Sequence, residues 1–137
     1  MELGIILVIV SSCIYILLGI GHTILTLFTN SFEPRDAELL ALNKQTAPNI
    51  TTQTSLWLGG VGFHLSHSLG FLIFGVLYLT LSVENPELIS SSVVFSLALV
   101  ITPLVYLLLS IRYWFIVPTI GIAISAFGYL LGLALLN

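Results

Sequence analysis

The sequence predicts an all-α membrane protein, a four-transmembrane-helix bundle with a short amphipathic helix or loop between its first two spans. Hydrophobic residues make up 58% of the chain and charged residues 7%, whereas soluble domains average about 45–50% and about 25%. The apolar residues fall into four runs that approach or exceed the roughly 20 residues needed to cross a bilayer. Segments with Pro, Asn and charged residues separate these runs. We expect residues 1–137 to form one four-span transmembrane domain.

The predicted spans cover about 3–28, 56–83, 93–111 and 118–136. The first span lacks a basic start, and its apolar run exceeds the roughly 7–15 residues of a signal peptide, so we expect it to stay in the mature protein. Thr54 or Ser55 is placed to cap the second span, since both side chains accept hydrogen bonds from backbone N–H groups. Pro118 suits the first turn of the fourth span, where its missing N–H costs nothing.

The connection between the first two spans contains a weaker helical pattern. Residues 36–45 have the composition of a short helix, in which Leu39, Leu40 and Leu42 can face the membrane surface. A packed loop is the alternative. Glu33, Arg35, Asp36 and Glu38 form a solvated charge cluster, to which we assign a loop-anchoring role.

The few basic residues predict an orientation. Arg35 and Lys44 lie in the first connection and Arg112 in the third, while the termini and the second connection contain no Lys or Arg. The positive-inside rule therefore places the termini outside and the first and third connections in the cytoplasm. Trp57 falls at the predicted cytoplasmic boundary of the second span, where interfacial aromatic residues are typical.

The chain has no basic patch that could bind nucleic acid. Cys13 is the only cysteine, which excludes an internal disulfide, and we expect it to be buried.

Small and polar residues predict which helix faces meet. In lipid, rows of small residues allow backbones to approach closely and so mark helix interfaces. The rows recur at intervals of three and four: Ser11, Tyr15, Gly19, His22 and Thr26 in the first span; Gly59, Gly62, Ser66 and Gly70, beside Gly60, His64 and His67, in the second; Ser96, Pro103, Tyr106 and Ser110 in the third; Gly121, Ser125, Gly128 and Gly132 in the fourth.

All three histidines of the chain, His22, His64 and His67, fall inside predicted spans. An ionisable side chain there is costly, so it is treated first as a possible functional group. His64 and His67 are three residues apart and therefore share one helix surface. At ~1.5 Å per residue, His22 and His64 lie at similar depths of roughly 9 and 12 Å from the same side of the membrane. The two can meet if the first two helices are neighbours.

Several functions are compatible with these histidines. The leading hypothesis is a site for a small apolar or amphipathic molecule, used by an enzyme or a carrier, with the candidate ligand-binding residues His22, His64, His67, Tyr15, Thr26 and Ser66. The first alternative is a b-type haem electron carrier with axial histidines from two helices. A zinc site with an open fourth position is less favoured, because no Asp or Glu lies within a span. The last alternative is a structural subunit of a larger complex, with histidines that only pack. Whether any residue is catalytic stays open.

Two segments resemble a family of small four-span bacterial membrane proteins that has no established activity. The likeness rests on Gly-Ile-Gly-His-Thr at 19–23, Thr-Leu-Phe at 26–28, and Trp57 followed by Gly-Phe-His-Leu-Ser-His-Ser-Leu-Gly at 62–70 and Phe-Gly at 74–75. The resemblance implies four membrane helices in a bacterial inner membrane or another prokaryotic-type membrane. In that family the position of His64 is often Asn. This implies that a neutral hydrogen-bonding group can replace His64, and it places more weight on His22 and His67.

Overall fold

The computed structural model describes residues 2–137, and within them it is all-helical. The helices are α1 (Leu3–Phe28), α2 (Ala37–Gln45), α3 (Leu56–Glu84), α4 (Glu87–Ser91), α5 (Val93–Tyr113) and α6 (Ile116–Leu136). Four of them, α1, α3, α5 and α6, are long and apolar enough to cross a membrane. The predicted fold class is therefore confirmed. Three predicted span boundaries move by one or two residues, to Glu84, Tyr113 and Ile116.

Side-chain caps explain where two of the helices begin. Asp36 Oδ1 accepts hydrogen bonds from the backbone N–H groups of Glu38 (2.8 Å) and Leu39 (3.1 Å), which starts α2. At the start of α3, Ser55 Oγ accepts from the backbone N–H of Leu58 at 3.2 Å. The sequence allows a short helix or a packed loop at residues 36–45, and the structure has the helix α2.

The short helix α4 was not expected from the sequence. It has five residues, too few for a hydrophobic period to be recognised. A hydrogen bond connects it to the start of α5, where the Ser96 hydroxyl donates to the Ile89 carbonyl at 2.8 Å.

The described chain forms two compact units, which divide both α1 and α3. Unit 1 contains the residues up to Leu18 together with Phe71–Asn137, and unit 2 contains Gly19–Gly70. Unit 1 therefore holds the first part of α1, the second part of α3, and α4 to α6. Unit 2 holds the end of α1, α2 with its flanking loops, and the first part of α3.

Aromatic rings form the core of unit 1. Tyr15 lies 4.8 Å from Phe71 and 5.6 Å from Tyr129 between ring centroids, both in the edge-to-face arrangement that ring quadrupoles favour. The buried Tyr129 hydroxyl donates to Ser12 Oγ at 3.1 Å, and Ser12 in turn donates to the Val8 carbonyl. These hydrogen bonds let hydroxyl groups be buried without leaving donors unsatisfied.

Glycines allow close helix contacts in unit 1. A Cβ at Gly75 of α3 would lie 2.8 Å from the Ser12 carbonyl oxygen of α1. A Cβ at Gly132 of α6 would lie 2.9 Å from the Gly4 carbonyl oxygen, and one at Gly128 would overlap Ser11 Oγ. The row of small residues on α6 is thus confirmed as a helix interface.

Two expectations about single residues of the spans are wrong. A Cβ at Gly59 or Gly62 would meet no atom within 4 Å, so these two glycines do not mark a close helix contact. Spacing alone shows that residues share a face, but not whether another helix covers that face. Cys13 was expected to be buried and is exposed. The expectation rested on the general tendency of cysteine to be buried, which does not specify the side of α1 that carries Cys13.

Candidate functional site

The three histidines come together in unit 2, where α1 supplies His22 and α3 supplies His64 and His67. His22 Nε2 lies 3.1 Å from His64 Nδ1, within hydrogen-bonding distance. The ring centroids of His22 and His64 are 5.2 Å apart, and those of His22 and His67 are 5.4 Å apart. His22 therefore stands between two imidazoles that the helical spacing of α3 places one turn apart.

The bond between His22 and His64 restricts the protonation of both rings. One of the two nitrogens must carry the proton and donate it, while the other accepts. His64 uses Nδ1 in this bond, so Nε2 is the ring nitrogen with which it can meet a bound molecule. The hydrogen bond thereby fixes the orientation of a potential ligand-binding group.

Phe32 completes the histidine cluster and was missed in the sequence. Its ring stacks on His64, with centroids 4.5 Å apart and planes 17° apart, and it also lies 4.8 Å from the His22 ring. Phe32 belongs to the loop after α1. The signal that could have identified it is an aromatic residue inside an otherwise polar, turn-forming segment at 30–34.

The other three candidate site residues, Thr26, Ser66 and Tyr15, have different surroundings. Thr26 lies on α1 one turn beyond His22 and donates its hydroxyl proton to the His22 carbonyl at 2.7 Å. Ser66 is exposed and donates to the Phe63 carbonyl at 2.9 Å. Tyr15 belongs to the aromatic core of unit 1, where its buried hydroxyl has no hydrogen-bond partner among residues 2–137. Only Thr26 of these three belongs to the surroundings of the histidines in unit 2.

A pocket of about 210 Å³ opens beside His64. The end of α1, the loop after it, α2 and the first turns of α3 all contribute to its wall. Its lining combines rings and aliphatic groups with hydroxyl, amide and carboxylate groups: Thr26, Thr29, Phe32, Glu33, Pro34, Asn43, Leu56, Trp57, Gly60, Val61 and His64. Several of these residues come from the first connection, which the sequence did not associate with the site.

Opposite charges lie at the edge of the pocket. Lys44 Nζ is 3.9 Å from Glu33 Oε1 and 5.5 Å from the centre of the Trp57 ring. Glu33 and Trp57 line the pocket, whereas Lys44 does not. From the sequence, Glu33 was assigned to a loop-anchoring charge cluster and Trp57 to the membrane boundary; in the structure both line the pocket.

The histidine geometry bears on the metal and haem alternatives. Within residues 2–137 no group of three or more His, Cys, Asp or Glu side chains is arranged to hold a metal ion. Axial imidazoles bind a haem iron from opposite faces of the porphyrin. Two rings that share a hydrogen bond leave no space for a porphyrin between them. Haem binding by His22 and His64 would therefore require α1 and α3 to move apart.

The chain matches no protein family, no curated protein and no solved structure. Its function is therefore inferred from the residues and geometry of unit 2.

Proposed function

We propose that the chain is an integral membrane protein whose pocket in unit 2 binds one small amphipathic molecule. The pocket lining supports this proposal most directly, because it places aromatic rings and hydrogen-bonding groups around one cavity. Ligand sites typically combine a mainly apolar wall with a few well-placed polar groups. Four helices of sufficient length and apolarity support the membrane location.

The wall suggests how such a molecule would lie. Phe32 offers a ring surface for an apolar body, while His64, Thr26 and Glu33 offer polar atoms for the other end. His22 does not line the pocket. It acts as a positioning residue, because its hydrogen bond holds the His64 ring in one orientation.

Cavity size limits the ligand. Since a water molecule occupies about 30 Å³ of liquid, 210 Å³ corresponds to roughly seven water molecules. Sites for drug-sized molecules are larger, at about 300–1,000 Å³. The bound molecule is accordingly small, or only its polar end enters the pocket while the rest extends outwards.

We further propose that the protein lies in a prokaryotic inner membrane with its termini outside. In that orientation the first and third connections, with Arg35, Lys44 and Arg112, are cytoplasmic. The pocket, which is built partly from the first connection, then faces the cytoplasmic side.

Purification in a mild detergent, followed by native mass spectrometry and an absorption spectrum, tests the proposed function. We expect the wild-type protein to carry a small molecule that Gly60→Val removes, because Gly60 lines the pocket and its Cβ position is unobstructed. Gly62→Val is the matched control, since a Cβ at Gly62 also meets open space but Gly62 does not line the pocket. The same bound mass in all three proteins would refute the pocket, and a Soret band would instead favour a b-type cytochrome.

A further inference from the structure

Two polar groups of the pocket lining can only accept hydrogen bonds from a ligand. Thr26 donates its hydroxyl hydrogen to the His22 carbonyl at 2.7 Å. A hydroxyl whose single hydrogen is used in this way can offer only its lone pairs to a ligand. The Glu33 carboxylate is likewise an acceptor. This part of the wall, with Thr26 and Glu33, is complementary to a ligand that donates hydrogen bonds.

The chain already places one ammonium group against this wall. Lys44 Nζ lies 3.9 Å from Glu33 Oε1 and 5.5 Å from the centre of the Trp57 ring. An ammonium within about 6 Å of a ring centre is attracted by the negative face of the ring. Both groups that hold Lys44 also line the pocket. The ammonium of a bound ligand would therefore compete with Lys44 for the same pair of groups.

We propose that the ligand of this pocket is an amphipathic amine. Its ammonium binds Glu33 and Trp57 in place of Lys44, and its apolar body lies against Phe32. An anionic ligand is disfavoured, because the Glu33 carboxylate lines the pocket and none of the described lining residues is Lys or Arg. This inference rests on the proposed function and specifies the chemical class of the ligand.

Fluorescence of Trp57 reports binding directly. The chain has two tryptophans, so Trp114→Phe leaves Trp57 as the only one. The purified Trp114→Phe protein, in an uncharged detergent at neutral pH, is titrated with phenethylammonium chloride and separately with 2-phenylethanol, its neutral counterpart. Gly60→Val in the same background measures quenching by probe dissolved in the micelle, and this signal is subtracted.

We expect three results. Glu33→Gln weakens phenethylammonium binding about tenfold, as the loss of a charge-assisted hydrogen bond does, and leaves 2-phenylethanol binding unchanged. Lys44→Gln removes the competing ammonium and strengthens phenethylammonium binding about threefold, within the range of an exposed ion pair. Glu38→Gln is the matched control, because Glu38 is an exposed carboxylate on α2 outside the lining, and it changes neither affinity.

The failures of the two proposals are distinguishable. If neither probe binds, and no other small molecule is retained on purification, the pocket itself is refuted. If both probes bind equally and Glu33→Gln changes neither affinity, the pocket stands and the amine assignment is overturned. If Lys44→Gln weakens amine binding, Lys44 is not the occupant that the amine displaces, and the assignment is also overturned.

A primary ammonium is found both on free amines and on phosphatidylethanolamine headgroups. Repeating the titration in nanodiscs of phosphatidylglycerol, with and without phosphatidylethanolamine, separates these sources. A higher apparent Kd for phenethylammonium in the presence of phosphatidylethanolamine supports a lipid headgroup in the site. An unchanged Kd supports a free amine. Binding in neither nanodisc overturns the proposal.

Discussion

Replacing Gly75 by Ala tests how closely α1 and α3 pack in unit 1. The added Cβ would lie 2.8 Å from the Ser12 carbonyl oxygen, 2.8 Å from Ile16 Cγ1 and 3.1 Å from the Ile16 backbone nitrogen. Two of these atoms belong to the backbone of α1, so a side-chain rotation cannot relieve the contact. The helices must separate or shift.

Two opposing contributions determine how Gly75→Ala changes the free energy of unfolding. Overpacking costs about 1–3 kcal/mol, whereas Ala is about 1 kcal/mol more favourable than Gly inside a helix. Gly62→Ala, on the same helix, provides the matched control because its Cβ meets no atom within 4 Å. The helix term cancels between the two variants. We therefore expect Gly75→Ala to be less stable than Gly62→Ala by about 1–3 kcal/mol, the overpacking term alone.

Reversible unfolding by SDS in bicelles, followed by circular dichroism, measures both free energies of unfolding. Gly62→Ala should be at least as stable as the wild type, and Gly75→Ala should unfold at lower SDS. Equal stability of the two variants would show that α1 and α3 do not approach as closely at Gly75 as the structure places them.

Three further predictions concern hydrogen bonds and orientation. Tyr129→Phe should lower the free energy of unfolding by about 1 kcal/mol, the net value of its hydrogen bond to Ser12. Tyr15→Phe should not lower it, because the Tyr15 hydroxyl has no hydrogen-bond partner within residues 2–137. Unfolding of both variants by SDS checks this, and a larger loss for Tyr15→Phe would contradict it. His64→Leu should lower the free energy of unfolding by about 1 kcal/mol, because the hydrogen bond to His22 is lost. His64→Asn should lower it less, because an Asn amide atom occupies the position of Nδ1. Equal decreases for the two variants on SDS unfolding would refute this role of the hydrogen bond. Asn49-Ile50-Thr51 matches the glycosylation acceptor pattern, and on the proposed orientation it stays unmodified in a glycosylating membrane system; sugar on Asn49, detected as a mass shift, would reverse the orientation.

Helix positions were predictable because they depend on local composition. Each span is a continuous apolar run of sufficient length, and Asp36 and Ser55 mark helix starts with their own side chains. Which face of a helix is covered depends instead on the path of the rest of the chain. The glycines of α6 lie against α1, yet Gly59 and Gly62, with similar spacing, face open space.

The site was only partly predictable for the same reason. Depth and helical phase indicated that His22 and His64 could meet, because both properties follow from counting along helices. Phe32, Glu33 and Asn43 line the pocket through the course of the loop after α1 and the placement of α2, and no periodicity describes either. Ser66 shows the converse: it lies near the histidines in sequence, but it is exposed in the structure.

Nuclear magnetic resonance of ¹⁵N-labelled histidine side chains tests most directly whether the pocket beside His64 binds a small amphipathic molecule. The protein has three histidines, and single substitutions by Gln assign their signals. Saturating 2-phenylethanol should shift the nitrogens of His64 and, through the hydrogen bond, those of His22. Gly60→Val should abolish these shifts and Gly62→Val should retain them. Histidine signals that stay unchanged at saturation, or shift equally in Gly60→Val, would contradict the proposed site.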